Sequence, residues 1–441
     1  MHVFFRHIAG TDRITLLIFL LAFGLRFGYL MVALDQAPPD HFAATPSDSA
    51  EYVRLAGDFY SLHISNEHIL YMVGFGYPFF LAAAFAISGQ CLLFALIVQI
   101  VFGSAATALI YEIGRLIFQN RSLAAIAALI NATSFTSLTL SVSFLSETVF
   151  FFLLALSVYV FLRMLEKPTL PKCLLLAILL AYTTFVRSVG QFLPVLFFAI
   201  VIITPIRYFA VSKARLLKCT LMAMVLSIML ISAWAMRNYV KHDTYVTSGT
   251  GIGAAAMYLG ARVAANQSDS LTSGDFQEIF KKEMAQSQAR PLSLSEQHDW
   301  YLRKLTDLLT DNPFLFVGTY LTIIGANILA YEDNYHFRLP DFRPRLNQYT
   351  KLCRRLYVNE IYFILTLFGF ISLVHRREVF AAVLLGLIYL YFAALSGFTY
   401  WQGSRIFYPA QLSWAFAIAV VLERPVRCLT QSVMRLSAGK A

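Results

Sequence analysis

The sequence predicts an all-α polytopic membrane protein with about ten to twelve transmembrane helices. Three observations predict it. Of 441 residues, 58% are hydrophobic and only 14% charged, where a soluble domain carries about 25% charged residues. The apolar residues fall in long runs at 14–34, 92–110, 123–142, 149–162, 195–204, 216–235, 361–374 and 379–395, several near the roughly 20 residues that cross about 30 Å of hydrocarbon. Basic residues cluster in the short connections between runs: Arg115 with Arg121, Arg163 with Lys167 and Lys172, and Arg207 with Lys213, Arg215 and Lys218. That is the signature of cytoplasmic loops. These loops account for much of the net charge of +10. No basic stripe interleaved with exposed aromatics suggests nucleic acid, so the partner implied by the charge is the lipid bilayer. Many of the 23 Tyr lie near the ends of the runs, as an interfacial belt requires.

The elements follow in order. Run 14–34 is too long for the apolar region of a signal peptide and reads as a retained first helix. Arg6 and Arg13 place the N-terminus in the cytoplasm. Residues 35–90 form a first external loop broken by Pro38, Pro39 and Pro46. Within it, 48–62 reads as an interfacial helix with Ser47 as its N-cap. Asp48, Glu51, Tyr52, Leu55 and Phe59 share one face at helical spacing. Residues 72–89 are apolar but short, with Gly74, Gly76 and Pro78 inside, and read as a helix lying in or re-entering the outer leaflet. Helices near 91–112, 123–143, 148–164, 173–187, 189–207 and 216–236 then cross in alternation, closing an N-terminal catalytic module over 1–236. Segment 237–358 is an extracytoplasmic loop whose apolar stretch 314–331 is interfacial or spanning, with the non-spanning placement preferred. Residues 359–441 supply the last helices and a cytoplasmic tail.

Metal and cofactor signals are weak. Cys91, Cys173, Cys219, Cys353 and Cys428 are scattered without a CxxC pair. No Walker loop, GxGxxG or His-pair zinc motif is present. His63 and His68 are spaced poorly for one ion, and Glu332-Asp333 reads as a solvated helix end. No metal ligand and no cofactor is assigned, and a divalent cation is left open.

Charges isolated in apolar sequence are the candidates for chemistry. Glu147 is the only charge from 123 to 162, and Arg187 the only one from 173 to 206. The run ahead of Arg187 has about 15 residues, roughly 22 Å of helix, so Arg187 should sit below the outer surface in a protein-lined cleft. Arg26, deep in the first run, either snorkels outward or faces that cleft. Asp48 beside Tyr52 is placed to take a proton from a hydroxyl, or else caps its helix. Glu147 has a turn role as its plain alternative, Arg187 an ion pair with Glu147 itself, and Arg54 and Arg237 an anchoring role at the interface.

An Asp after the first span followed four residues later by Tyr, and then Leu55-Ala56, resembles the first external loop of GT-C glycosyltransferases, especially glycosyltransferase family 39 with its protein O-mannosyltransferases and aminoarabinose–lipid A transferases. Gly76-Tyr77-Pro78, Ser146-Glu147-Thr148, Thr184-Phe185-Val186-Arg187, and Trp234 with Arg237-Asn238-Tyr239 resemble later motifs of that family in order. Arg405 with Tyr408-Pro409 is a looser match. The chain departs from some relatives at Glu51, where they carry a basic residue. The resemblance implies inverting transfer of a sugar from a polyprenyl-phosphate carrier to a glycan, lipid or protein hydroxyl, on the outer side of a bacterial plasma membrane. It implies Asp48 as base, with Glu51, Tyr52, Arg54, Glu147, Arg187 and Arg237 contacting substrate. The rival from another class is a transporter or lipid-sugar flippase, which calls for inverted repeats and paired broken helices; no repeat is found.

Overall fold

The computed structural model describes residues 13–35, 38–44, 47–65, 67–249, 260, 263, 293–329, 359–398 and 404–438. Arg6, Pro46, most of 250–292, Glu332-Asp333 and Cys353 lie outside the described residues, as does the side chain of Ser47 with its capping role. All regular structure among the described residues is helical.

The first half comprises α1 (Arg13–Leu34), α2 (Pro39–Ala44), α3 (Ser47–Tyr60), α4 (Glu67–Val73), α5 (Gly76–Ser88), α6 (Leu92–Phe118), α7 (Arg121–Thr133), α8 (Phe135–Ser141), α9 (Glu147–Glu166), α10 (Leu170–Val186), α11 (Leu193–Ile203) and α12 (Lys213–His242). The second comprises α13 (Leu294–Asp311), α14 (Pro313–Ile328), α15 (Asn359–His375), α16 (Val379–Ser396), α17 (Ser404–Phe407) and α18 (Gln411–Ala438). Among the described residues six helices are long and apolar enough to cross a membrane, or eight if two bent pairs count as one span each. Four more apolar helices, α10, α14, α15 and the stretch Ser188–Ile203, are shorter.

The structure refines several boundaries. The helix expected at 72–89 is α5, and α4, ending at Val73, meets it at 114°. Gly74 turns the chain with φ +77°, and a Cβ on Gly76 would fall 2.3 Å from the Phe185 carbonyl carbon. Glycine is therefore required for α5 to start against the end of α10. Residues 123–143 also break, with α7 and α8 bent by 56°. Ser134 causes the break, turning its side chain onto the backbone N–H of Ser137 at 3.2 Å and capping a new helix. Helix α12 runs six residues past the expected module boundary at 236, to His242, and stops where Asp243 takes a left-handed conformation. Both bent pairs lie within residues 67–141, rather than at corresponding places in two halves as a repeat-built transporter would have them.

Burial grades the spans. In α9 78% of the apolar window is enclosed by protein, and over Arg405–Cys428 83% is, against 33% in α1 and 28% in α12. The two enclosed helices form the centre, and each begins with a charged residue, Glu147 or Arg405. Phe151 of α9 packs on Tyr408 with ring centroids 4.7 Å apart, which brings those two starting points together.

Candidate functional site

Glu147 occupies the first turn of α9, where the helix dipole favours a carboxylate. It is fully buried. Its Oε1 accepts from Arg405 Nε and forms an ion pair with Arg187 Nη1. Arg187 reaches it because α10 ends at Val186 and the next residue is extended, aiming the side chain across the helix end. At 17 residues, α10 is about 26 Å long, still short of a full crossing. Arg405 is 7% exposed and also donates from Nη2 to Asp48 Oδ2 at 2.8 Å. Four charges thus form one chain, Asp48–Arg405–Glu147–Arg187, drawn from α3, α17, α9 and the end of α10. Two acids balance two bases.

The open valences of this cluster matter for chemistry. Asp48 is 46% exposed while Arg405 holds it by one oxygen. Arg187 is 20% exposed and forms its pair with Glu147 through Nη1, one of the three nitrogens of its fork. Glu147 Oε2 is buried with no hydrogen-bond partner. Tyr52 packs edge-on against Tyr77 at 4.9 Å and is buried. Burial pushes the Tyr52 hydroxyl up, and the charges of Asp48 and Glu147 push it further; the phenol stays protonated and can donate. Tyr77 donates to Gln99 Oε1 at 2.7 Å, and Gln99 Nε2 donates to the carbonyls of Leu140, Ser141 and Ser143. That chain of bonds fixes the loop leading into Glu147.

Three sequence candidates stand apart. Glu51 and Arg54 pair with each other at 3.2 Å, one turn along α3 from Asp48 and outside the chain of ion pairs that holds it. Arg237 pairs with Glu67, stacks over Trp234 at 4.9 Å and donates to Asn238 at 2.9 Å. Lys241 joins the same acid at 2.6 Å. An aromatic bridge links this second cluster to the first: Trp234 meets Phe75 at 4.3 Å, and Phe75 meets Phe185 at 4.8 Å. Among the described residues no group of three or more His, Cys, Asp or Glu could hold a metal.

Arg405 is the residue that the candidate list omitted, although its motif was noted. The signal was available: from 379 to 422 it is the only charge, the criterion that singles out Glu147 and Arg187.

Comparisons with known proteins agree on the class of fold. Residues 73–258 match the family model described as dolichyl-phosphate-mannose-protein mannosyltransferase, a span that holds Glu147, Arg187 and Arg237 but neither Asp48 nor Arg405. The structure is similar to the archaeal oligosaccharyltransferase AglB from Archaeoglobus fulgidus, solved in complex with an inhibitory peptide and a dolichol-phosphate. The TM-score is 0.55 at 14% identity, covering 96% of this chain and 52% of that one. The chain therefore spans about half the length of that protein, and the likeness concerns the fold. No curated protein matches the chain by sequence. The resemblance to GT-C glycosyltransferases drawn from the motif series holds for both the family model and the fold.

Proposed function

We propose that this chain is an integral-membrane glycosyltransferase that moves a sugar from a polyprenyl-phosphate carrier to a hydroxyl acceptor on the outer side of a plasma membrane, with inversion at the anomeric carbon. The observation that carries the reading is the Asp48–Arg405–Glu147–Arg187 chain: a half-exposed carboxylate and a partly exposed guanidinium, joined through Arg405 and one buried acid. Asp48 takes the proton of the acceptor hydroxyl through the oxygen that Arg405 leaves open. The acceptor oxygen forms its bond to the anomeric carbon as the bond to the phosphate oxygen breaks. The lipid phosphate leaves with the electron pair, and the fork of Arg187 receives the growing charge. Arg405 orients Asp48 through their ion pair. Glu147 keeps both guanidinium groups in place, and Tyr52 donates a hydrogen bond from the wall.

The test is a transfer assay on purified protein with a polyprenyl-phosphate sugar, with donor binding measured separately. Asp48→Asn keeps the shape of the side chain but cannot take the proton. Transfer should fall by about 10²–10⁴ while donor binding and thermal stability hold. Near-wild-type turnover in this variant would remove Asp48 as base. Loss of stability and binding together would make it a helix cap.

A further inference from the structure

Arg26 lies in the middle of α1 and is fully buried. It does not snorkel. Its Nη2 donates to Ser137 Oγ at 2.6 Å, Thr107 Oγ1 at 3.1 Å and Asn131 Oδ1 at 3.4 Å; Nε donates to Ser141 Oγ at 3.1 Å, and Nη1 to the Ala22 carbonyl at 3.2 Å. Every acceptor is neutral, and Arg26 forms no ion pair with any described carboxylate. A guanidinium kept charged in the interior of a bilayer protein by neutral oxygens alone is costly, so its surroundings are built to tolerate a charge without cancelling it.

Its position gives that charge a use. A Cβ on Gly103 would meet Ser141 Oγ at 2.9 Å, Arg26 Nε at 3.0 Å and Thr148 Cγ2 at 3.1 Å. Arg26 and Thr148, the residue that follows Glu147, therefore both border the same point on α6 at Gly103. On the other side, Ser137 shares a hydrogen bond of 3.2 Å with the Tyr408 hydroxyl, one helical turn beyond Arg405. Asp48 and Glu147 cancel Arg187 and Arg405, and Arg26 is the charge left over.

We propose that Arg26 is a positioning charge that biases the cleft toward an anionic occupant: its guanidinium, held by neutral groups near the start of α9, selects a phosphate-bearing lipid over the same lipid without phosphate. A carrier with a sugar on its phosphate bears one negative charge, which the excess positive charge of the interior matches. This inference rests on the donor reading above.

The experiment measures binding of polyprenyl phosphate and of the neutral polyprenol to the full-length protein in nanodiscs. Wild-type protein should prefer the phosphate. Arg26→Gln should lower that preference roughly tenfold, the size expected of one unit charge acting across a few side chains at intermediate dielectric, and leave polyprenol binding unchanged. Arg26→Lys should keep more of the preference than Arg26→Gln. Asn131→Asp is the deciding variant, since it leaves Arg26 in place and gives it a counter-charge of nearly the same shape as the amide. The lost bond from Asn131 Nδ2 to Gln411 Oε1 can be replaced, because Gln411 Nε2 has no partner at present and a flipped amide would donate to the new carboxylate. It should fold and lose preference as Arg26→Gln does. A protein with Asn131→Asp that keeps the full phosphate preference overturns the proposal, as does an Arg26→Gln protein that loses polyprenol and phosphate binding alike. A wild-type protein with no preference defeats the donor reading instead, before any variant is made.

Discussion

Glu147 and Glu67 are each bracketed by two cations, one in the centre of the helix bundle and one at its rim. The side chain of Glu147 is 0% exposed and its partners Arg187 and Arg405 are 20% and 7% exposed. Glu67 is 34% exposed, with Arg237 at 22% and Lys241 at 48%. The same arrangement of charges means different things in the two places. At the rim, water shares each charge, and a broken pair is resolvated at little cost. In the centre no water compensates, so the members hold one another in place, and removing one strands the rest. A buried cluster is therefore rigid enough to orient a base and a phosphate contact, whereas an exposed one mainly anchors helix α12 against α4.

The largest contrast should appear in stability. Glu147→Gln leaves Arg187 and Arg405 without their shared acid and should cost about 3–5 kcal/mol, with transfer lost as well. Glu67→Gln should stay within about 1 kcal/mol. Thermal or denaturant unfolding of both purified variants in one detergent makes the comparison, and equal losses would erase the distinction. Donor affinity should separate the clusters next. On the proposed function Arg187→Ala would remove charged hydrogen bonds to the phosphate and should weaken donor binding by about 10- to 100-fold. Arg187→Lys should recover part of it, because charge remains while the fork is lost. Arg237→Ala, already occupied by Glu67, should change affinity by less than about fivefold; a loss as large as that of Arg187→Ala would move Arg237 into the donor site. The smallest effect is in salt. The stability difference between wild type and Glu67→Gln should vanish near 1 M salt, where the Debye length is about 3 Å, and that of Glu147→Gln should persist.

Much of this was legible in the residues alone. Long uncharged runs announce spans because an unpaired charge in hydrocarbon is expensive. For the same reason a single charge left in such a run stands out: Arg26, Glu147, Arg187 and Arg405 are all found this way. Gly74 and Gly76 marked a break, and the break is there, between α4 and α5 at 114°. Helical spacing placed Glu51 on the face of Asp48. What spacing leaves out is the partner: Glu51 pairs with Arg54 on its own helix, whereas Asp48 pairs with Arg405. The bend at Ser134 was missed because an apolar run with scattered serines looks continuous to any hydropathy window.

What the sequence by itself determined is local: the apolar runs, the breakers, the basic loops, the ordered motifs and the few charges that polar surroundings do not explain. What only the tertiary structure decided is the pairing. Asp48 and Arg405 lie 357 residues apart, and Glu147 and Arg405 258 apart. No periodicity links such distant positions; they meet because α9 and the last helix are the two most enclosed spans and start side by side. The neutrality of the shell around Arg26 is likewise a tertiary fact. Its partners come from α1, α6, α7 and α8, and a charge is uncompensated only with respect to everything folded around it.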